Sequence, residues 1–376
     1  MNVIFTCGGT AGHINPAIAV ANILKQRKPD CKILFIGAEG HMEEKLVPAA
    51  GYELVTLPGS GLSRKLNLAG IKKNINAVKC VVSAVTKCKK IIRDFDADVI
   101  VGTGGYASFP AIYAGARLGV PTVVHESNAL PGLTTKMAAS VATKVLVCFE
   151  ESVKHYKHPE LVEVVGMPVR QEFITTGKTE AKKLLGLEDR QVVVSAFGSQ
   201  GAKVMNENMA GIFPLEQEDG FPFHHIHAVG SFGWGWMPEK VRSAGVDFEN
   251  CPRIDMREYI YNMPTVMAAA DVIIGRAGAA TCNEIAAAGI PCVLIPSPNV
   301  TDNHQEKNAR VLERMGGCVV VLESECSGEK LYQTVGALLR DEPRRKAMRR
   351  ALLQGAVHDS AERICDIVCA LATGGK

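Results

Sequence analysis

No Cys-x-x-Cys pair, no cysteine–histidine group at zinc spacing and no Gly-x-x-x-x-Gly-Lys-Ser/Thr loop occurs in this sequence. A P-loop NTPase is excluded, and the 12 cysteines, several of them in apolar runs (Cys7, Cys148, Cys292), read as buried free thiols in a reducing cytosol. No uncharged apolar stretch reaches the ~20 residues of a membrane span. No basic leader precedes Val3, which already lies in strand-like sequence, so a soluble chain with only peripheral membrane contact is expected. Excess charge is missing too: 42 Lys and Arg against 39 Asp and Glu leave +3, which does not argue for nucleic acid.

What is present is an alternation of short apolar runs with helical stretches. VIFTC (3–7), KILFIG (32–37), DVIVG (98–102), TVVHE (122–126), KVLVCF (144–149) and VEVVG (162–166) are continuously apolar, as in a parallel sheet covered on both faces. The series restarts with QVVVSAFGSQGA at 191–202 and continues through FHHIHAVG, DVIIGRAG, PCVLIP and GCVVVL. At 376 residues two domains are expected. We read an α/β chain of two tandem Rossmann-like domains, 1–166 and 167–376, with a cleft between them and a hinge near Gly166-Met167-Pro168. The last helix, SAERICDIVCALA, fits either domain.

Ligands of open α/β sheets bind at the carboxyl ends of strands, and three glycine-rich turns fall there: CGGTAGH (7–13), GTGGYAS (102–108) and FGSQGA (197–202). Glycines also serve tight strand-to-helix packing, but three such turns over both domains point to a phosphorylated ligand. Helix N-terminal amides attract anions by ~0.3–1 kcal/mol per charge. A dinucleotide site competes, since Glu39 follows the second strand where a ribose-binding acid would lie, although Gly8-Gly9-x-x-Gly12 is not GxGxxG.

Glu284, in GRAGAATCNEIAAAG, suits a ribose diol or, equally, a helix dipole. Asp302, His304 and Gln305 in TDNHQEKNA suit a sugar, or belong to a helix start capped by Thr301 or Asp302. Arg170 suits a pyrophosphate or the plain surface, and His125-Glu126-Ser127-Asn128 closes a strand on the ligand side. DFDAD (94–98) looks like a metal-binding DxD but precedes its strand, roughly 16 Å from the glycine turn at ~3.3 Å per residue. No other segment suggests a metal. From Arg64 to Arg93 nine Lys or Arg occur without an acid, and Ile71, Ile75, Val78, Val82 and Val85 recur at helical spacing. That is an amphipathic core helix or a basic surface for anionic lipid, and the concentration of charge favours the lipid surface.

CGGTAGHINPAIAVA, GTGGYASFPA, HESNALPG, VGMPVR, FGSQGA, GRAGAATCNEIAAAGIP and HQEKNA stand in the order seen in the MurG family of bacterial glycosyltransferases, over nearly the whole chain. The resemblance implies a GT-B fold and inverting transfer of GlcNAc from UDP-GlcNAc to the 4-hydroxyl of MurNAc in polyprenyl-linked lipid I, giving lipid II. Carried over, it implies that the Ile260 backbone meets uracil with Met263 nearby, and that Ala279, Ala280 and Thr281 line the nucleotide pocket. Glu284 would take the ribose hydroxyls, and Ser199 with Arg170 the diphosphate. Gln305, Asn128, Thr10, Ala11 and Gly12 would meet GlcNAc, and Gly8, Gly9, Gly104 and Gly105 the acceptor pyrophosphate. No cofactor or metal is implied, and the place of action is the cytoplasmic face of the plasma membrane, beside other cell-wall synthesis proteins. This chain departs from many relatives at Ala11 and Phe197, where Gly is commoner, and at His304, where some carry Gln.

Direct displacement needs the acceptor hydroxyl to lose a proton. Histidine, which ordinarily titrates near ~6.5, suits that transfer at neutral pH. His13 is therefore the candidate general base, against helix capping or acceptor binding, with Glu126 as second base or orienting group. Another nucleotide-sugar enzyme of the same fold, such as a glycolipid transferase or a UDP-GlcNAc epimerase, is the alternative. An NAD-dependent dehydrogenase and a non-catalytic membrane scaffold are less favoured.

Overall fold

Short β-branched and aliphatic runs that are buried on both faces form two parallel sheets. The computed structural model describes residues 1–58, 68–187, 190–198 and 200–374, except for the side chains of 68–79 and Thr301. The first sheet contains β1 (Asn2–Thr6), β2 (Lys32–Ala38), β3 (Glu53–Leu57), β4 (Val99–Gly102), β5 (Thr122–Glu126), β6 (Lys144–Val147) and β7 (Val162–Val164), in the order β3-β2-β1-β4-β5-β6-β7. The second contains β8 (Val192–Ala196), β9 (His224–Ala228), β10 (Ile254–Arg257), β11 (Val272–Gly275), β12 (Cys292–Leu294) and β13 (Cys318–Val320), in the order β10-β9-β8-β11-β12-β13. Each sheet thus grows outward in both directions from its first strand, so β1 and β4 flank one topological switch point and β8 and β11 the other.

Two strands lie outside the predicted runs. Both β3 and β10 are edge strands whose residues are mostly half-exposed, and their sequences (ELVTL, IDMR) carry charge where β1, β4, β8 and β11 carry none. A search for continuous apolar runs passes over them.

The chain divides into unit 1, Met1–Val169 with Val357–Lys376, and unit 2, Arg170–Ala356. The C-terminal helix, Ser360–Gly374, belongs to unit 1 and packs on the helix Ala11–Arg27. Its stripe of Ala361, Ile364, Cys365, Val368 and Ala372 is buried in one cluster with Ile14, Ala17, Ala21 and Leu24. Gly166 takes φ +74°, and a Cβ there would lie 2.5 Å from the Val357 Cβ, so glycine lets the returning segment close against the end of the first sheet.

Along the helix Leu68–Asp94 the buried stripe is Ala84, Cys88 and Ile92. Of the stripe read from sequence, Val85 is half-buried and packs against the same core, whereas Val82 is 62% exposed. Arg64 lies outside the described residues, as do the side chains of Ile71, Ile75 and Val78. Among the described residues no helix is long and apolar enough to cross a membrane.

Candidate functional site

In unit 1 the site is built at the carboxyl ends of β1 and β4. The chain leaves β1 through Gly8 and Gly9 and enters the helix Ala11–Arg27; it leaves β4 through Gly104 and Gly105 and enters the helix Ser108–Leu118. The two turns interlock. Gly105 has φ +86°, and a Cβ on it would drive into the Gly8 backbone. Gly104 has φ +109°, and its Cβ would come within 2.7 Å of His13 Cδ2 and 3.0 Å of His13 Nε2. These two glycines are therefore required by the packing of the turns and by the space the imidazole occupies, before any ligand is considered.

His13 is half-buried at the start of its helix, and Thr103 Oγ1 donates to its carbonyl at 2.6 Å. Its Nδ1 lies 3.0 Å from the Gly8 carbonyl oxygen, with Thr10 Oγ1 at 3.4 Å. A carbonyl only accepts, so Nδ1 carries the proton and the neutral ring keeps its lone pair on Nε2. Thr10 is the N-cap and offers no side-chain cap, so the first amides, at Ala11 and Gly12, have no intrahelical partner. The exposed Gly9 turns its N–H inward instead, to the carboxylate of Glu43.

Glu43 is a residue that sequence reasoning missed. It is fully buried, and it also accepts the Ala38 N–H at 2.8 Å. Nothing in HMEEKLVP distinguishes it from its neighbour Glu44; only burial does.

At the end of β5, His125 is buried and donates from Nε2 to the Gly166 carbonyl at 2.9 Å; burial lowers its pKa and keeps it neutral. The buried Glu126 is occupied on both oxygens. Oε1 accepts from the Asn128 backbone and side-chain amides at 2.9 and 3.0 Å, and Oε2 accepts from Gly132 N–H at 3.2 Å. This geometry orients the HESNALPG loop, and Asn128 within it, rather than presenting a base.

A change at the interlock reaches His13 directly. Gly104→Ala is expected to displace the imidazole and to lower by at least ~10²-fold any turnover that depends on it, because a misplacement near 1 Å suffices for that. A ligand held by unit 2 alone should bind unchanged. Steady-state kinetics with calorimetry check both.

In unit 2 the corresponding positions are the ends of β8 and β11. FGSQGA follows β8: Gly201 N–H bonds the Gly198 carbonyl at 3.1 Å, and a Cβ on Gly201 (φ +76°) would strike the Val229 carbonyl beyond β9. Ser199 lies outside the described residues. After β11 the chain turns at Gly278 into the helix Ala279–Ala288, with Ala279, Ala280 and Thr281 half-buried in its first turn. Glu284 lies in the second turn, beyond the N-terminal amides.

Burial pushes the Glu284 carboxyl up to about 7, against a smaller pull from Arg170. The structure thus brings Arg170 and Glu284 together, and the helix Glu172–Thr175 just after Arg170 packs on the helix that carries Glu284. Arg170 itself is exposed and stacks on Phe173, 5.0 Å from the ring centre.

Ile260 is buried in the turn after β10, between the exposed Tyr259 and Tyr261, and Met263 opens the next helix half-buried. Gln305 accepts the Ser297 N–H at 2.9 Å, which leaves its amide nitrogen as donor. Asp302 and Asn303 are both left-handed (φ 53° and 51°), and Asn303 rather than Thr301 or Asp302 is the N-cap of the helix His304–Arg314. His304 is half-buried there. Glu39 is exposed after β2, and Asp98 accepts the Asn2 amide at the amino end of β4. A separate cavity of about 530 Å³ near the starts of β9 and β10 holds none of the predicted residues.

The glycosyltransferase family 28 N-terminal domain matches residues 3–147 and the family 28 C-terminal domain matches residues 192–364. A UDP-N-acetylglucosamine–N-acetylmuramyl-(pentapeptide) pyrophosphoryl-undecaprenol N-acetylglucosamine transferase of Acetivibrio thermocellus is 38% identical over 98% of this chain and 97% of its own length. The chain belongs to glycosyltransferase family 28, among the MurG transferases. The crystal structure of Acinetobacter baumannii MurG is similar with a TM-score of 0.77 at 25% identity, covering 98% of this chain and 99% of that one. A UDP-GlcNAc 2-epimerase from Neisseria meningitidis, at 12% identity and TM-score 0.67 over 98% of this chain and 100% of that one, shares the fold alone. The chain therefore has the GT-B fold, one parallel α/β sheet to each unit.

Proposed function

We infer that this chain transfers GlcNAc from UDP-GlcNAc to the 4-hydroxyl of MurNAc in undecaprenyl-pyrophosphoryl-MurNAc-pentapeptide, giving lipid II with inversion at the anomeric carbon. The observation that carries this reading is the near full-length match to a transferase of that name. His13 Nε2 takes the proton from the acceptor hydroxyl as its oxygen bonds the anomeric carbon; the bond to UDP breaks, and UDP leaves with the electron pair. Fixed amides of FGSQGA, with Arg170, stabilise the leaving diphosphate. Glu284 accepts from the ribose hydroxyls, the Ile260 backbone reads uracil, and Ala279, Ala280 and Thr281 line the nucleotide. Gln305, Asn128 and the turn Thr10-Ala11-Gly12 hold GlcNAc. Gly8, Gly9, Gly104 and Gly105 shape the turns that face the acceptor pyrophosphate.

The helix Leu68–Asp94 is the surface we assign to anionic lipid at the cytoplasmic face of the membrane. Two features support this: basic residues crowd residues 64–93, and Val82 on that helix is exposed. Leu133 and Met137, one turn apart on the helix Leu133–Ala139 and flanking Lys136, are exposed as well. The reading is tested by incubating the protein with radiolabelled UDP-GlcNAc and a short-chain lipid I analogue. A labelled disaccharide lipid is expected. Binding of UDP without any product would remove the acceptor assignment while leaving the donor site.

A further inference from the structure

The Gly9 N–H and the Gly8 carbonyl belong to one peptide group, and each end of that group is engaged. Both carboxylate oxygens of Glu43 reach the N–H, at 3.2 and 3.3 Å, and His13 Nδ1–H reaches the carbonyl at 3.0 Å. We propose that Glu43 and His13 form a carboxylate–histidine pair bridged by this peptide, in which the Glu43 charge fixes His13 as the Nδ1–H tautomer with the Nε2 lone pair outward. Its catalytic consequence rests on the reading of His13 as the general base. Glu43 touches no substrate and is a positioning residue.

Three observations carry the pair. First, resonance couples the two ends of a peptide group, so an anion accepting at N–H makes the carbonyl a stronger acceptor, and charge-assisted bonds are roughly twice as strong as neutral ones. Second, the fold makes room for this carboxylate: a Cβ on Gly37 would lie 2.6 Å from Glu43 Cγ, and one on Gly8 would lie 3.0 Å from Glu43 Oε1. Third, the local duties of a first-turn acid fall to Glu44, which accepts the Gly40 N–H at the surface at 2.9 Å.

The arrangement also suits the substrates. A carboxylate bonded to His13 directly would stand beside two anionic ligands, whereas a buried one acting through a peptide keeps its charge behind the turn. Two titratable groups beside the pair remain neutral. The Cys7 thiol is pushed up to about 12 by burial and by Glu43, and His125 is held uncharged by burial.

The first test needs no change at Glu43. In the intact protein labelled with ¹⁵N-histidine, and with His13→Ala to assign the resonance, two-bond ¹H–¹⁵N spectra are expected to show neutral His13 protonated on Nδ1. A proton on Nε2, or the tautomer mixture of free histidine, would overturn the pair. The second test is Glu43→Gln, with circular dichroism confirming the fold. The expected outcome is a roughly 10- to 100-fold fall in kcat/KM, with the acid limb of its pH profile moved to lower pH by about half a unit or more. The KM for UDP-GlcNAc stays within about twofold. Glu43→Asp, which restores the charge, returns the limb toward the wild-type position. If Glu43→Gln lowers stability but leaves limb and tautomer in place, Glu43 is only a brace and the pair is refuted. A Glu43-dependent tautomer in a protein whose His13→Ala variant turns over normally would uphold the pair and remove His13 as the base.

Discussion

His13→Ala is expected to bind UDP with wild-type affinity and to lose turnover by about 10²- to 10⁴-fold, the range that a positioned general base supplies. The proposed base role and its competitors predict different bonds for the ring. A capping histidine would spend its ring on helix amides, but here Nδ1 is committed to the Gly8 carbonyl at 3.0 Å, outside the helix. That bond leaves Nε2 as the acceptor, and Gly104 clears the space in which it stands. A residue that merely held the acceptor would show its loss in the acceptor KM with kcat kept, so the kcat-against-KM split decides the role. Affinity for UDP is expected to be insulated because the residues proposed for the donor, Arg170, Ile260, Thr281 and Glu284, all belong to unit 2. A His13→Ala variant with an unchanged kcat would remove the mechanism proposed here.

Glu284→Gln is expected to weaken donor binding and to stabilise the fold at once. Burial raises the Glu284 carboxyl to about 7, so near neutral pH the ligand-free enzyme holds it about half ionised. Only the ionised form accepts from both ribose hydroxyls. Affinity for UDP-GlcNAc, whose diphosphate does not titrate here, should rise about tenfold between about pH 6 and about pH 8. In Glu284→Gln that pH dependence disappears, and affinity drops by roughly 10- to 100-fold, the loss of a charge-assisted hydrogen bond.

The stability effect has a definite sign. The folded pKa lies above that of an unfolded glutamate near ~4.3, so ionisation opposes folding. The penalty is absent below about pH 4, grows through the interval and is complete above about pH 7, where it amounts to roughly 3–4 kcal/mol. Denaturant titration at about pH 8 should therefore find Glu284→Gln more stable by an amount of that order, and at about pH 4 no more stable than wild type. An acid present only to complement a helix dipole would have a lowered pKa, and its loss would destabilise. Glu284 lies past the first turn of its helix, where that complement fades. A destabilised Glu284→Gln at high pH would return the residue to the structural reading.

The central strands were legible because a strand buried on both faces must be apolar throughout, and the glycine turns because strand and helix interiors reject glycine. Most of the functional reading came from ordered motifs rather than from any one of them: Glu284, taken alone in CNEIAAAG, is as well explained by a helix as by a ribose. The edge strands β3 and β10 were illegible for the same reason that the centre was clear. With one side open they tolerate charge, and their pattern merges with that of loops. On the helix Leu68–Asp94 two apolar stripes coexist, and spacing alone does not say which faces a core.

By itself, then, the sequence determined the class of fold, the doubling of the βαβ series and the chemistry on offer at the strand ends, since these follow from local periodicity and residue type. Tertiary structure alone decided that Ser360–Gly374 returns to the first unit, that Gly104 and Gly105 serve the packing of two turns around His13, and that Glu43 rather than Glu44 lies beneath them. Each of those outcomes depends on which segments distant in the chain come into contact, and hence on burial. A residue's own neighbours in sequence carry no record of that.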